Sequence, residues 1–126
     1  MRLRGLVNRD IEDVKKIYEK FYVNEFIFDD LFNKMLSSFV VTDEQDKIIA
    51  GGGVRTITEA IIVTDKDVEI DSRRAALLEM LRASIFASSA HKYKELHAFI
   101  QDEKWMNHLK KYGFRETKGQ ALVLPI

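Results

Sequence analysis

Residues 67 to 80, DVEIDSRRAALLEM, set the tightest constraint on how this chain can fold. The stretch turns through charged residues and opens a long helical pattern, which is the outline of a strand-to-helix phosphate-binding turn. A helix N-terminus presents unpaired N–H groups at the positive end of its dipole, and an anion binds there when the preceding loop lets it approach. Glycines usually permit that approach. Here Ser72, Arg73 and Arg74 hold those places, so a phosphate can lie along the backbone only if their side chains turn away. Beyond them Leu77, Leu78, Leu81, Ile85 and Phe86 predict a helix to about Ala90, with Ala75, Ala76, Ala83 and Ala87 small enough for close packing on a sheet.

The flanks of that helix read as strands. Ala60 to Val63 is almost wholly apolar, as suits a central strand covered on both faces, and Glu95 to Ile100 is a second run. Strand, helix and strand then form a parallel β-α-β unit. Upstream, Arg2 to Val7 alternates as a strand does, and Asp10 stands as N-cap of a helix with Val14, Ile17, Tyr18, Phe21 and Tyr22 on one face. Phe28, Leu31, Phe32, Met35 and Leu36 repeat that spacing in a shorter second helix, with Asp29 or Asp30 near its start. Phe39 to Thr42 and Ile48 to Val54, joined by a polar turn at Asp43 to Asp46, read as a hairpin, and Thr56 to Thr58 as a further reversal. Asp102 caps a last helix with Trp105, Met106, Leu109 and Tyr112 facing inward. Gly113 ends it in the left-handed conformation, and a closing strand runs from Ala121 to Leu124.

Composition narrows the function. Hydrophobic residues at 46% and charged residues at 32%, with one proline over 126 residues, describe a single globular domain spanning 1–126. Twenty basic and twenty acidic residues cancel, so the field that draws proteins to nucleic acid or anionic membrane is absent and neither is an expected partner. The balance is uneven along the chain: residues 73 to 118 carry ten Lys and Arg against five Asp and Glu, which suits an anionic ligand or a solvated surface. No cysteine is present, which excludes disulfides, thiolate metal sites and a cysteine nucleophile. His91, His97 and His108 lack the spacing of a helical metal pair, so no metal is expected. With no apolar run of signal-peptide or membrane-helix length, a cytoplasmic protein is expected.

The order β-α-α-β-β-β-α-β-α-β resembles the GNAT family of acyl-CoA-dependent N-acyltransferases, and the likeness covers nearly the whole chain. Its local carriers are KIIAGGGVR at 47–55, AALLEMLRA at 75–83 and HLKKYGFRE at 108–116. The resemblance implies an α+β fold with a mixed, mostly antiparallel sheet, split near its parallel strands, and helices on both faces. It implies transfer of an acetyl or other acyl group from CoA to an amine, borne by a small molecule or a peptide, with acetyl-CoA as co-substrate and no metal. In the family an Arg or Gln, a glycine, and a glycine or alanine hold the CoA pyrophosphate. Glu69, Ser72 and Arg74 stand there in this chain, so the cradle would be the backbone of Ser72, Arg73, Arg74, Ala75 and Ala76, helped by the two guanidinium groups. A backbone N–H near Val63 would polarise the thioester carbonyl, and Glu59 would accept the amine proton. The tyrosine that often protonates the leaving thiolate is replaced by Leu109, leaving His108 and Tyr112 as the nearest donors.

Two other classes compete. A GNAT-like binding or assembly module without CoA and without catalysis accounts for the changed turn and the missing tyrosine. A homodimer using Phe26, Ile27 and Phe28 accounts for those aromatics, and Trp105 reads as packing. Gly51, Gly52 and Gly53 inside a strand signal either a bulge, a close backbone approach or a tolerated kink.

Overall fold

A computed structural model describes residues 1–25, 28 and 34–126. The fold is α+β: the described residues form a three-stranded antiparallel sheet and three α-helices. The chain forms two compact units, residues Met1–Thr56 with Tyr112–Ile126, and residues Ile57–Lys111. Among the described residues no helix is long and apolar enough to cross a membrane.

The first unit holds the sheet. β1 (Arg2–Gly5), β2 (Met35–Thr42) and β3 (Ile48–Arg55) lie in that order, with β2 in the middle and antiparallel to both neighbours. The β2–β3 connection is the expected hairpin, closed by Asp43, whose Oδ1 accepts from the amides of Gln45 and Lys47 at 2.9 Å each. α1 (Ile11–Phe21) lays Val14 against Val40 and Ile48, and Leu6, Ile17 and Phe28 pack around that cluster. Phe21 and Tyr22, expected on the same stripe, are exposed, and Lys20 lies over the Phe21 ring.

Asp10 corrects its expected role. It occupies the N-cap position of α1, yet its carboxylate makes no bond to that helix. It turns back and takes both terminal nitrogens of Arg4 at 2.7 and 2.9 Å, and the Val7 amide at 2.8 Å. A bidentate guanidinium outcompetes a lone helical amide because its bonds are charge-assisted. Asp10 is 3% exposed, and the Arg4 bonds, then the Val7 amide, pull its carboxyl from 3.8 down to about 2. β1 is thereby tied to the start of α1.

Two glycines of the run have a steric cause. A Cβ on Gly51 would stand 2.7 Å from Val14 Cγ2, and one on Gly53 would collide with the Ser37 carbonyl oxygen. The close approach is thus by an aliphatic side chain of α1 and by the neighbouring strand. Bare backbone at 51 lets the helix settle onto the sheet.

Several expected elements differ. Met35 and Leu36, placed in a second helix, belong to β2, because its ladder with β3 continues past Phe39 to pair Met35 with Arg55. A short apolar run does not separate the two states by itself. Leu31, Phe32, Asp29 and Asp30 of that expected helix lie outside the described residues, as do Phe26 and Ile27. The strand expected at Ala60–Val63 is reduced to one parallel bridge, Glu59 to His97, made by His97 N–H to Thr58 O (3.0 Å) and Ala60 N–H to His97 O (2.8 Å). Ala121–Leu124 is not a strand either, and Leu122 is 94% exposed. Both runs have strand composition without a neighbouring ladder, and strand preference expresses fit to a pleated, half-buried surface rather than an intrinsic backbone tendency.

In the second unit α2 runs Ile70–Ala90 and α3 runs Glu103–Lys110. The inner side of α2 is a narrow line through Leu77, Leu81 and Ser88, spaced by helical turns. Two of its serines bond back within the helix: Ser84 Oγ donates to Met80 O and Ser88 Oγ to Ser84 O, both at 2.8 Å. Ile85 and Phe86, expected on the core face, lie exposed beside that line. Gly113, after α3, has φ +98°, the left-handed conformation its position called for.

Two outcomes follow for stability. A carboxyl lowered by folding adds stability that is full above its ordinary value of 3.8 and vanishes as pH falls through about 2. Asp10→Asn therefore lowers the melting temperature at pH 7 and flattens its fall between pH 4 and 2; an unchanged acid limb in a thermal melt series would refute the clamp. Gly51→Ala costs about 1–3 kcal/mol by overpacking against Val14, read from the urea midpoint. Gly5→Ala, with nothing within 4 Å of the added carbon, stays within about 0.5 kcal/mol, and equal effects at the two positions would refute the steric account.

Candidate functional site

The start of α2 is capped by the chain itself. Glu69 is the N-cap residue, and its Oε1 accepts from the Ser72 amide at 3.0 Å and the Ser72 hydroxyl at 2.7 Å. The hydroxyl first, and the amide second, hold the Glu69 carboxyl below the ordinary value of a glutamate. The Arg73 amide donates to Glu69 O at 3.1 Å. Of the first four helical amides, Ser72 and Arg73 are thus committed to Glu69. Ala75 and Ala76 fall in the second turn, where amides bond to carbonyls one turn back. A carboxylate sits where the helix end would attract an external anion.

Beside that capped end lies a cavity of about 350 Å³. The first turn of α2 contributes Ile70, Arg73 and Arg74, and the segment before it contributes Thr64 and Lys66. α3 contributes Lys104, Trp105 and His108, and its N-cap Asp102 stands at the rim. Four permanent cations therefore face one carboxylate, and that carboxylate already accepts from the Lys104 amide at 2.9 Å. Arg74 has a long, exposed contact to Asp71 at 4.0 Å, worth little in water. Arg73 is half-buried, and its Nε is buried without a hydrogen-bond partner among the described residues. Such an unmet donor costs free energy until something accepts from it. Trp105 is half-buried, its ring edge-on to the His108 imidazole at 5.7 Å between centroids. The cavity is electropositive with one aromatic wall.

The expected site residues divide into two groups. Arg73, Arg74 and His108 meet around this cavity. Ser72 spends both donors on Glu69, and Val63 is 92% exposed one residue before the lining Thr64. Glu59 is exposed at the parallel bridge opposite His97 and does not line the cavity. His97 is mostly buried: its Nε2 is 3.6 Å from Glu95 Oε2, and its Nδ1 has no hydrogen-bond partner among the described residues. Past this bridge the two chain segments carry no further pairing among the described residues.

Lys66, Lys104 and Trp105 were not singled out as ligand residues. Trp105 sits at apolar spacing on its helix, which is also how a core residue reads. The two lysines are far apart in sequence and meet only because α3 returns to the start of α2. A second hollow, about 220 Å³, lies beside the β2–β3 turn and is lined by Met1, Asp43, Glu44, Gln45 and Ile49, with no basic side chain. Among the described residues no group of His, Asp and Glu is arranged to hold a metal ion.

Comparison of the chain with known protein families, with characterised proteins and with solved structures finds no match.

Proposed function

We propose that this chain is an N-acyltransferase of GNAT type, moving an acyl group from acyl-CoA to an amine. One observation carries the reading: Lys66, Arg73, Arg74 and Lys104 converge on a cavity at the start of the helix that follows a parallel bridge. CoA is a polyanion, and guanidinium groups match phosphate oxygens in charge and in fork geometry. In this reading the phosphates are held by side chains rather than by a glycine-lined backbone, because Glu69 has taken the Ser72 amide. The layout proposed with it is the mixed sheet of the family, splayed beyond Glu59 and His97, with helices on both faces.

The chemistry is an addition and an elimination. The neutral amine adds its nitrogen to the thioester carbonyl carbon, the C–S bond breaks, and amide and free thiol result. Glu59 takes the proton that the ammonium must shed before it can attack, and the departing thiolate takes up a proton from solvent, because His108 lies in the cavity given to the phosphates. The Val63 amide would steady the oxyanion. The reading without catalysis, a GNAT-like binding module, draws on Glu69 at the helix end and Leu109 in place of the tyrosine.

Calorimetric titration with acetyl-CoA separates the two. Saturable heat is expected, weakened about tenfold or more by Arg73→Ala or Arg74→Ala, the loss of a charge-assisted contact. No heat at millimolar acetyl-CoA sinks the transferase reading. Glu69→Gln keeps an oxygen for the cap while removing the charge, so acetyl-CoA is expected to bind about 2- to 5-fold tighter. Unchanged or weaker binding by that variant would mean that no phosphate nears the helix end.

A further inference from the structure

We infer that His97 is a proton switch on the parallel bridge of the second unit: the bridge is closed while the imidazole is neutral and opens when the ring takes a second proton. The inference goes beyond the acyltransferase reading and does not rest on it.

The bridge hangs on three hydrogen bonds, and two of them belong to the His97 backbone. Its N–H donates to Thr58 O at 3.0 Å, its carbonyl accepts from the Ala60 amide at 2.8 Å, and the Thr58 hydroxyl donates to Glu95 O at 2.6 Å. No ladder continues past them among the described residues, so the state of His97 decides whether the two segments stay joined. The His97 side chain is 16% exposed, and its ring lies nearly parallel to that of Phe99, 6.4 Å between centroids. Two carboxylates are near: Glu95 Oε2 stands 3.6 Å from Nε2, and Glu59 lies across the bridge, exposed. Glu95 favours the neutral tautomer with its proton on Nε2, which leaves Nδ1 unprotonated. Nδ1 is buried and has no hydrogen-bond partner among the described residues. A second proton makes that nitrogen a donor with no acceptor, on a ring that has also become charged away from water. The opposing effect is the attraction of Glu95 for the imidazolium, and it is small because the contact is long and Glu95 is 53% exposed. Burial therefore wins. The charged ring regains water when the segment from Glu95 to His97 lifts away, and that motion breaks the bridge. The bridge is thus held above the ordinary imidazole range and weakens as pH falls through it, a window in which carboxylates do not ordinarily titrate.

Hydrogen exchange of the Ala60 amide reports the bridge directly. Corrected for its intrinsic rate, its protection in the intact protein is expected to fall about tenfold between pH 7.5 and about pH 5.5, while the amides of β2 in the first unit hold theirs. The ring proton resonance of His97, followed by NMR in the same samples, should titrate across the span of that loss. His97→Gln keeps a donor near the place of Nε2 and cannot take the proton, so its Ala60 protection should be flat with pH although His91 and His108 remain. Wild-type protection that stays flat or rises on acidification overturns the inference, because the Glu95 attraction would then match or exceed the cost of burial. A fall that does not track the His97 resonance overturns it as well, and that comparison needs no variant to fold. So does a fall preserved in His97→Gln, which would assign it to another group.

Discussion

The carboxylate of Asp10 accepts from both terminal nitrogens of Arg4 and from the Val7 amide, and the first unit is organised around that contact. It sits between a strand and the helix that must cover the sheet, so it fixes the angle at which α1 leaves β1. Val14 can reach Val40 and Ile48 only if that exit is held. A buried carboxylate is tolerable here because every donor it needs is aimed at it. With Arg4 also 3.8 Å from Asp46, the same guanidinium touches the β2–β3 turn.

All three described α-helices begin on an acidic residue, and the use of the carboxylate differs each time. Asp10 faces away from its helix. Asp102 caps α3 through the Lys104 amide while it also lines the cavity. Glu69 caps α2 and thereby places a fixed negative charge at the end of the helix that borders the cationic cluster. Local capping and ligand capture draw on the same amides, and in α2 the chain has given them to its own side chain. Any anion bound nearby must rely on the longer reach of arginine and lysine.

Much of the frame was legible from residue pattern alone. The hairpin at Asp43–Asp46, the cap at Asp102, the left-handed Gly113 and the long helix after residue 69 each rest on a local cause that the residues themselves declare. The role of Asp10 was not legible, because the competing partner, Arg4, lies on another element. Nor were the unpaired runs at Ala60–Val63 and Ala121–Leu124, whose composition is that of strands and whose pairing depends on what lies beside them. At the site, Arg73, Arg74 and His108 could be named from their positions around a helix start and a helix end. Lys66, Lys104 and Trp105 join them only through the return of α3, which no spacing within one element encodes.

Gly51 and Val14 compete for one volume, since a Cβ on the first would stand 2.7 Å from Cγ2 of the second. The two positions therefore do not vary independently. A side chain at 51 becomes admissible when 14 shrinks in the same step, and each single change passes through a less stable protein. Sequence drift along this helix–sheet contact is thus paired, and a bulkier strand requires a change at both positions.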